Sequence, residues 1–80
     1  MNIDEFILFF KTLFNDELTE ELTPDAEFRY LDEWSSLIAL DFIIRCQEKL
    51  GKTVSPIDMK KTETLEELYN LVIQNNKNEN

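Results

Sequence analysis

Two adjacent serines, Ser35 and Ser36, precede the longest uninterrupted helical pattern of the 80-residue chain. The pattern continues to Leu50 and predicts a helix that begins at the serine pair. The Ser35 hydroxyl suits an N-cap, because it can accept from the free amides of the first turn. Ser36 would then occupy the first helical position. An anion attached there would lie beside unpaired amides and the positive end of the helix dipole.

The predicted helix carries more apolar residues than one face can hold. A core-facing stripe comprises Ala39, Phe42, Ile43, Cys46 and Leu50. A second apolar line runs back to Ser36 in steps of four through Leu40 and Ile44, with Leu37 close to it. Apolar residues left beside a helix start are typical of a surface for a partner or ligand. A small bundle that buried both lines would show the same periodicity.

Composition excludes several kinds of chemistry. The chain has no histidine and a single cysteine, so it lacks the commonest general base and cannot build a zinc site or a Cys–His pair. It has no glycine-rich nucleotide loop, and its acids do not follow EF-hand spacing. Neighbouring carboxylates such as Glu20 and Glu21 are more typical of a solvated face than of an acid–base pair. We therefore predict that the protein is not an enzyme and binds no metal.

The net charge of −9 is concentrated in residues 16–33, where eight acids face the single base Arg29. Such a charge disfavours nucleic acids and anionic membranes and favours a partner with a basic surface. A solvated segment that only aids solubility is the alternative. The lone Cys46 agrees with a reducing compartment, and its place on the core-facing stripe predicts a buried thiol. Segment 2–14 lacks the basic start and cleavage site of a signal peptide, so we expect a cytoplasmic protein.

The elements that must position the serine pair are predicted to be all-α. We expect a four-helix bundle with three long helices, a short third helix and a long loop between the first two. The first helix starts at a capping box of Asn2 and Glu5 and ends near Asn15. We expect one domain over residues 1–75, followed by a disordered polar tail over 76–80. The apolar face of the first helix comprises Ile3, Phe6, Ile7, Phe10, Leu13 and Phe14.

Residues 16–34 show no sustained period and predict a loop that apolar anchors pin onto the helices. Trp34, at the end of this loop, is either a further anchor or a docking aromatic, and we prefer the anchor. The expected anchors are Leu18, Leu22, Ala26, Phe28 and Leu31.

The second half of the chain contains three terminus signals. Gly51 is expected to end the second helix in the left-handed conformation. Ser55 is expected to cap a short third helix that ends near Lys61, while Thr64 and Glu67 form the capping box of the last helix. The predicted core face of the last helix comprises Leu65, Leu68, Tyr69, Val72 and Ile73.

This arrangement resembles the acyl carrier proteins, without a gap from Ala26 to about Val72. Phe28 lies where that family has a phenylalanine, eight residues before the modified serine. Ser36-Leu37 takes the place of the Ser-Leu in the family's Asp-Ser-Leu motif. Further matching positions are Leu40-Asp41-Phe42, Glu48, Leu50 and Thr64-Leu65.

The chain also departs from the family pattern. Ser35 replaces the aspartate of the motif, and Glu33-Trp34 replaces the usual glycine-containing pair. Arg45 and Lys49 dilute the acidity that is usual on the second helix. Because the first two changes lie where a phosphopantetheinyl transferase must bind, the resemblance points to a divergent carrier with dedicated partners.

The resemblance implies a 4′-phosphopantetheine arm, transferred from coenzyme A to Ser36 by a phosphopantetheinyl transferase. Its thiol would carry acyl groups as thioesters in fatty acid, polyketide or related biosynthesis. The family pattern further implies a monomer that meets loading, condensing and modifying enzymes with basic docking surfaces. Apolar contact would supply affinity and the acids would steer the encounter. The implied docking set is Leu37, Leu40, Asp41, Ile44 and Glu48.

Three alternatives remain at this stage. Ser36 can be only a helix-start hydroxyl, since serine is common there. A small acidic inhibitor of basic nucleases, similar to the immunity proteins, would fit the size and charge but gives no reason for the position of Ser36-Leu37. A carrier-like fold without the prosthetic group, acting as a protein-binding module, is the third, and the Ser35 departure leaves it open.

Overall fold

The computed structural model describes residues 1–15, 18 and 21–74. Within these ranges the chain forms three long α-helices and one short one, with a long gap between the first two and no β-strand. The predicted all-α class, with a short third helix, is therefore confirmed. The predicted tail over 76–80 and the acids Asp16, Glu17 and Glu20 lie outside the described residues. The helices are α1 (Ile3–Lys11), α2 (Ser36–Arg45), α3 (Pro56–Met59) and α4 (Leu65–Gln74).

Helix α1 begins at the predicted capping box. The Asn2 side chain accepts from the Glu5 amide at 2.8 Å, and the Glu5 carboxylate accepts from the Asn2 amide at 3.2 Å. A 3₁₀ turn over Thr12–Phe14 extends the helix to Asn15, whose φ of 51° lies in the left-handed region. Asparagine tolerates that region better than most residues, so the chain turns away where the pattern predicted.

Aromatic rings of α1 and α2 form the centre of the core. Phe6 and Phe10 each meet Phe42 edge to face, with ring centroids 6.1 and 5.9 Å apart. Phe10 also meets Phe28, at 6.0 Å, which ties the long segment before α2 to α1. Edge-to-face pairs of this kind contribute beyond their buried area. The remaining buried apolar residues are Ile7, Leu13, Phe14, Leu22, Leu31, Cys46, Val54, Met59, Leu65, Leu68 and Val72.

Apolar anchors hold the segment between α1 and α2, as predicted. Leu22, Phe28 and Leu31 are buried, while Leu18 and Ala26 pack partly buried against the core. Two further features of this segment, a 3₁₀ turn and a backbone pairing, were not predicted from the sequence. The chain forms a 3₁₀ turn over Phe28–Tyr30, and the residues just before this turn pair with the start of α4.

This pairing is a single antiparallel bridge between Glu27 and Thr64. Next to it, the Leu65 amide donates to the Ala26 carbonyl at 3.0 Å. The amide belongs to the first turn of α4, where a helix leaves N–H groups without partners of its own. The segment between α1 and α2 therefore supplies a hydrogen-bond acceptor to the first turn of α4.

Helix α2 ends differently from the prediction. The helical path continues to Leu50, but Cys46–Leu50 forms a wider π-helical turn, closed by the Gly51 amide on the Cys46 carbonyl. Gly51 has a φ of 67°, so its predicted left-handed role is confirmed.

The last two helices are capped as predicted. The Ser55 hydroxyl accepts from the Ile57 amide at 3.2 Å, and Thr64 and Glu67 exchange bonds at 3.2 and 3.3 Å. One expectation for α4 was wrong. Ile73 was placed on the core face but is exposed, because the buried face of α4 follows Leu65, Leu68 and Val72 alone.

Candidate functional site

The serine pair lies at the start of α2, as the sequence predicted. Ser35 has an extended backbone, and its hydroxyl accepts from the Ile38 amide at 3.3 Å. Ser36 is the first helical residue and is exposed. Within the described residues its hydroxyl forms no hydrogen bond, whereas that of Ser35 serves as the cap. The two serines therefore differ: Ser35 caps the start of α2, whereas Ser36 exposes its hydroxyl to solvent.

An open cleft of about 260 Å³ adjoins Ser36. Its surface is mainly apolar, and it is bounded by α2, by α3 and by the segment before α2. A cavity of about 150 Å³ with apolar walls is large enough for benzene, so this cleft has room for a larger apolar group. The lining residues are Arg29, Trp34, Ser36, Ala39, Ile43, Pro56, Met59 and Lys60.

The cleft explains a detail of the core-facing stripe of α2. Phe42 and Cys46 are fully buried, as predicted, but Ala39 and Ile43 are only partly buried. Both of these residues line the cleft. The part of the predicted stripe nearest to Ser36 therefore forms a wall of the cleft and does not enter the closed core.

Trp34 forms the aromatic wall of the cleft and packs against two buried phenylalanines. Its ring stacks on Phe10, with centroids 6.0 Å apart and planes 12° apart. It also meets Phe28 edge to face at 5.1 Å. The preferred interpretation of Trp34 as a loop anchor agrees with these contacts.

Arg29 forms a polar tie across the cleft, and sequence reasoning gave it no role. Its Nη1 donates to the Met59 carbonyl at 3.2 Å, and its Nη2 donates to the carbonyls of Lys60, at 3.2 Å, and of Thr62. The guanidinium also lies over the Phe28 ring, 5.1 Å from the centroid, a cation–π geometry. The base inside an acidic segment was visible in the sequence, but its partners lie about thirty residues away along the chain.

The second apolar line of α2 is open to solvent. Leu37, Leu40 and Ile44 are 75%, 54% and 45% exposed, respectively. The alternative in which a small bundle buries both apolar lines of α2 is therefore excluded, because the second line is exposed. Three exposed apolar side chains on one helix, next to Ser36, form a surface that suits contact with another protein.

The charges of the implied docking set are not equivalent. Asp41 pairs with Arg45 at 3.2 Å, four residues along the same helix. Arg45 also donates to the Thr12 hydroxyl at 3.3 Å, which links α2 to the end of α1. Glu48 is exposed on the π-helical turn. The acid of α2 nearest to Ser36 is thus partly neutralised by its own helix.

Cys46 is fully buried, as predicted. Burial raises the pKa of its thiol to about 12, because the interior disfavours the thiolate. A neutral buried thiol is a poor nucleophile. Cys46 is therefore a core residue and not a candidate nucleophile.

A second, more polar hollow of about 330 Å³ is lined by residues of other parts of the fold. None of the predicted site residues contributes to it. Its lining residues are Met1, Lys49, Leu50, Lys52, Val72 and Ile73.

Comparisons of the chain with protein-family models, with characterised proteins and with solved structures gave no match. Among the helices of residues 1–15 and 21–74, none is long and apolar enough to cross a membrane.

Proposed function

We propose that this chain is an acyl carrier protein that carries acyl groups as thioesters on a 4′-phosphopantetheine arm attached to the Ser36 oxygen. The observation that carries the proposal is the exposed Ser36 hydroxyl, without a hydrogen bond among the described residues, on the first turn of α2 beside an apolar cleft. The order of the helices, with a long gap before α2 and a short α3, supports the proposal.

Each feature of the site has a use in such a carrier. The start of α2 offers free amides and a positive dipole end to the phosphodiester that would join the arm to Ser36. The arm supplies a terminal thiol for the thioester. The cleft offers the apolar part of the cargo a place out of water, worth about 0.8 kcal/mol for each methylene buried. No catalytic group is required of the chain, and the partner enzymes perform the reactions.

The exposed line of Leu37, Leu40 and Ile44 is the proposed docking surface for the transferase and for the loading, condensing and modifying enzymes. Because Asp41 is paired with Arg45, Glu48 is the acid of the docking set with no such partner among the described residues. We therefore expect apolar contact to dominate at α2, with steering by acids elsewhere on the chain.

An unmodified protein-binding module is the second candidate. It is favoured by Ser35 in place of the aspartate that carriers place before the modified serine. In such a module the same leucine line would bind a partner, while Ser36 would remain a free hydroxyl.

Intact mass spectrometry separates these functions. The purified chain is incubated with coenzyme A, magnesium and a panel of broad-specificity phosphopantetheinyl transferases. A carrier gains one phosphopantetheine, the gain is lost in Ser36→Ala, and it persists in Ser35→Ala. An unchanged mass with every transferase, alongside a control carrier that is fully converted, overturns the proposal and leaves the binding module.

A further inference from the structure

We propose that Arg29 is a positioning residue for the cargo of Ser36: by tying the end of α3 to the core, it fixes the width of the cleft and so sets the size of the apolar group that the cleft accepts. The inference rests on the proposed function in one respect only, namely that the group in the cleft is the carried cargo.

The argument begins with how weakly α3 is held by its own side chains. The helix has four residues, and within it only Met59 is buried. Ile57 is 69% exposed, and Pro56 is exposed as well. One buried apolar side chain is a small anchor for a segment that forms one wall of a cleft.

Arg29 supplies the missing anchor. Its three hydrogen bonds reach the carbonyls of Met59, Lys60 and Thr62, which lie at and just beyond the end of α3. Helix ends leave such carbonyls without intrahelical partners, and a cation there is favoured. Bonds from a charged donor are stronger than bonds between neutral groups. The planar guanidinium also holds several acceptors in one fixed arrangement, which a lysine ammonium does not.

The other side of Arg29 is fixed to the core. Its guanidinium lies over Phe28, which is fully buried and in contact with Trp34. Trp34 and Met59 both line the cleft, and so does Arg29 itself. One side chain therefore connects two of the cleft's walls, the segment before α2 and the end of α3.

The dimensions and lining of the cleft define the cargo. Scaled from a cavity of about 150 Å³ that holds benzene, the volume of 260 Å³ has room for about ten carbon atoms. Three of the five Arg29 N–H donors bond to carbonyls, and the surface of the cleft is mainly apolar. The cargo class is therefore an uncharged aliphatic or single-ring aryl group of about this size. Because the cleft is open, the further carbons of a longer chain remain in solvent unless α3 moves.

The test uses the unmodified chain and free alcohols, so it does not depend on whether Ser36 is modified. Trp34 is the only tryptophan and lines the cleft, so its fluorescence reports occupancy. Titrations with 1-butanol, 1-hexanol, 1-octanol, 1-decanol and 1-dodecanol are expected to show affinity rising about fourfold per methylene. This increase in affinity should stop at about ten carbons.

Arg29→Gln and Arg29→Lys are expected to bind the longest alcohol at least as well as 1-decanol, because the end of α3 is released. The matched control is Arg45→Gln, which removes an arginine that also bonds to a distant backbone and hydroxyl but does not line the cleft. It should keep the wild-type dependence on chain length. A purely structural role for Arg29 would lower the melting temperature without moving that dependence.

Two results would overturn the inference. The first is a chain-length dependence that is identical in wild type, Arg29→Lys and Arg45→Gln, each shown to be folded by circular dichroism. The second is a wild-type chain that binds none of the alcohols, since then the cleft accepts no apolar group. Neither result bears on the attachment of phosphopantetheine, which the mass measurement decides separately.

Discussion

Trp34 stacks on Phe10, a residue of the first helix that lies far from it in the chain, with ring planes 12° apart. Ser36 follows Trp34 by two residues, so the start of α2 is held through this contact against α1. The proposed carrier function requires a serine in a constant position while the attached arm moves. The stacking of these two rings provides such a fixed base.

Phe10→Leu is expected to loosen this base. Loss of the ring should lower the free energy of unfolding by about 1–2 kcal/mol and move the Trp34 emission to longer wavelength, because the indole loses its cover. Leu8→Ala is the control on the same helix: Leu8 is 63% exposed, and its loss should change stability by less than about 0.5 kcal/mol. Chemical denaturation followed by fluorescence measures both effects. Equal shifts in the two variants would contradict the role given to Phe10.

The two serines are expected to separate stability from modification. Ser35→Ala removes the cap of α2 and should cost about 1 kcal/mol of stability, yet leave Ser36 open to a transferase. Ser36→Ala removes an exposed hydroxyl and should change stability by less than about 0.5 kcal/mol, while abolishing modification. Urea denaturation measures the first pair of outcomes and intact mass the second. A larger loss of stability in Ser36→Ala than in Ser35→Ala would refute the assignment of the cap.

The apolar docking surface is tested with a charge. Leu40→Glu should leave the circular dichroism spectrum unchanged, because Leu40 is half exposed, but it should lower the rate of modification or loading by about tenfold or more. Such a loss corresponds to about 1.4 kcal/mol of contact energy. Leu8→Glu places the same charge on an exposed leucine of α1 and should leave the rate unchanged. If Leu40→Glu is modified as fast as wild type, Leu40 does not belong to the docking set.

Cys46 predicts a dependence of stability on alkaline pH. In the folded chain burial raises the pKa of the thiol to about 12, against an ordinary value of 9.0. Between these values the unfolded chain binds fewer protons than the folded one, so stability falls as pH rises, by up to about 1.4 kcal/mol per pH unit. Below the ordinary pKa this contribution is fully present. Urea denaturation at a series of pH values measures it.

Cys46→Ala supplies the control for this experiment. Every other titratable group is common to both proteins, so its contribution drops out of the comparison. The variant should lose some stability at every pH through the cavity that it leaves, and its stability should fall less steeply between pH 9 and pH 12. Parallel curves for the two proteins would show that the thiol is accessible to ionisation in the folded state.

The local elements around the site could be predicted, because short-range signals determine them. Ser35, Ser55 and Thr64 each cap the helix that follows, and Gly51 takes the left-handed conformation, as their residue types and neighbours indicated. The apolar spacing of α2 separated Phe42 from the line of Leu40. It did not decide whether that line is covered, since this depends on how many helices surround it.

The cleft and its polar tie could not be predicted. Met59 and Arg29 are thirty residues apart, and no local pattern states that an arginine will reach the end of a later helix. The partial burial of Ile43 likewise results from an arrangement of three segments and not from its own spacing. The pairing of Asp41 with Arg45 was visible as a spacing of four residues, but Arg45 was interpreted only as a loss of acidity.

The bridge between Glu27 and Thr64 makes the position of the segment before α2 depend on the start of α4. The strip of backbone that leads to Trp34 is hydrogen-bonded to the first turn of the last helix. Loss of the first turn of α4 would therefore remove these bonds from the strip before Trp34, at a distant point of the sequence, and weaken the support of Ser36. Truncation of the final helix is consequently expected to loosen Trp34 as well, and a tag or fusion partner belongs after this helix and not inside it.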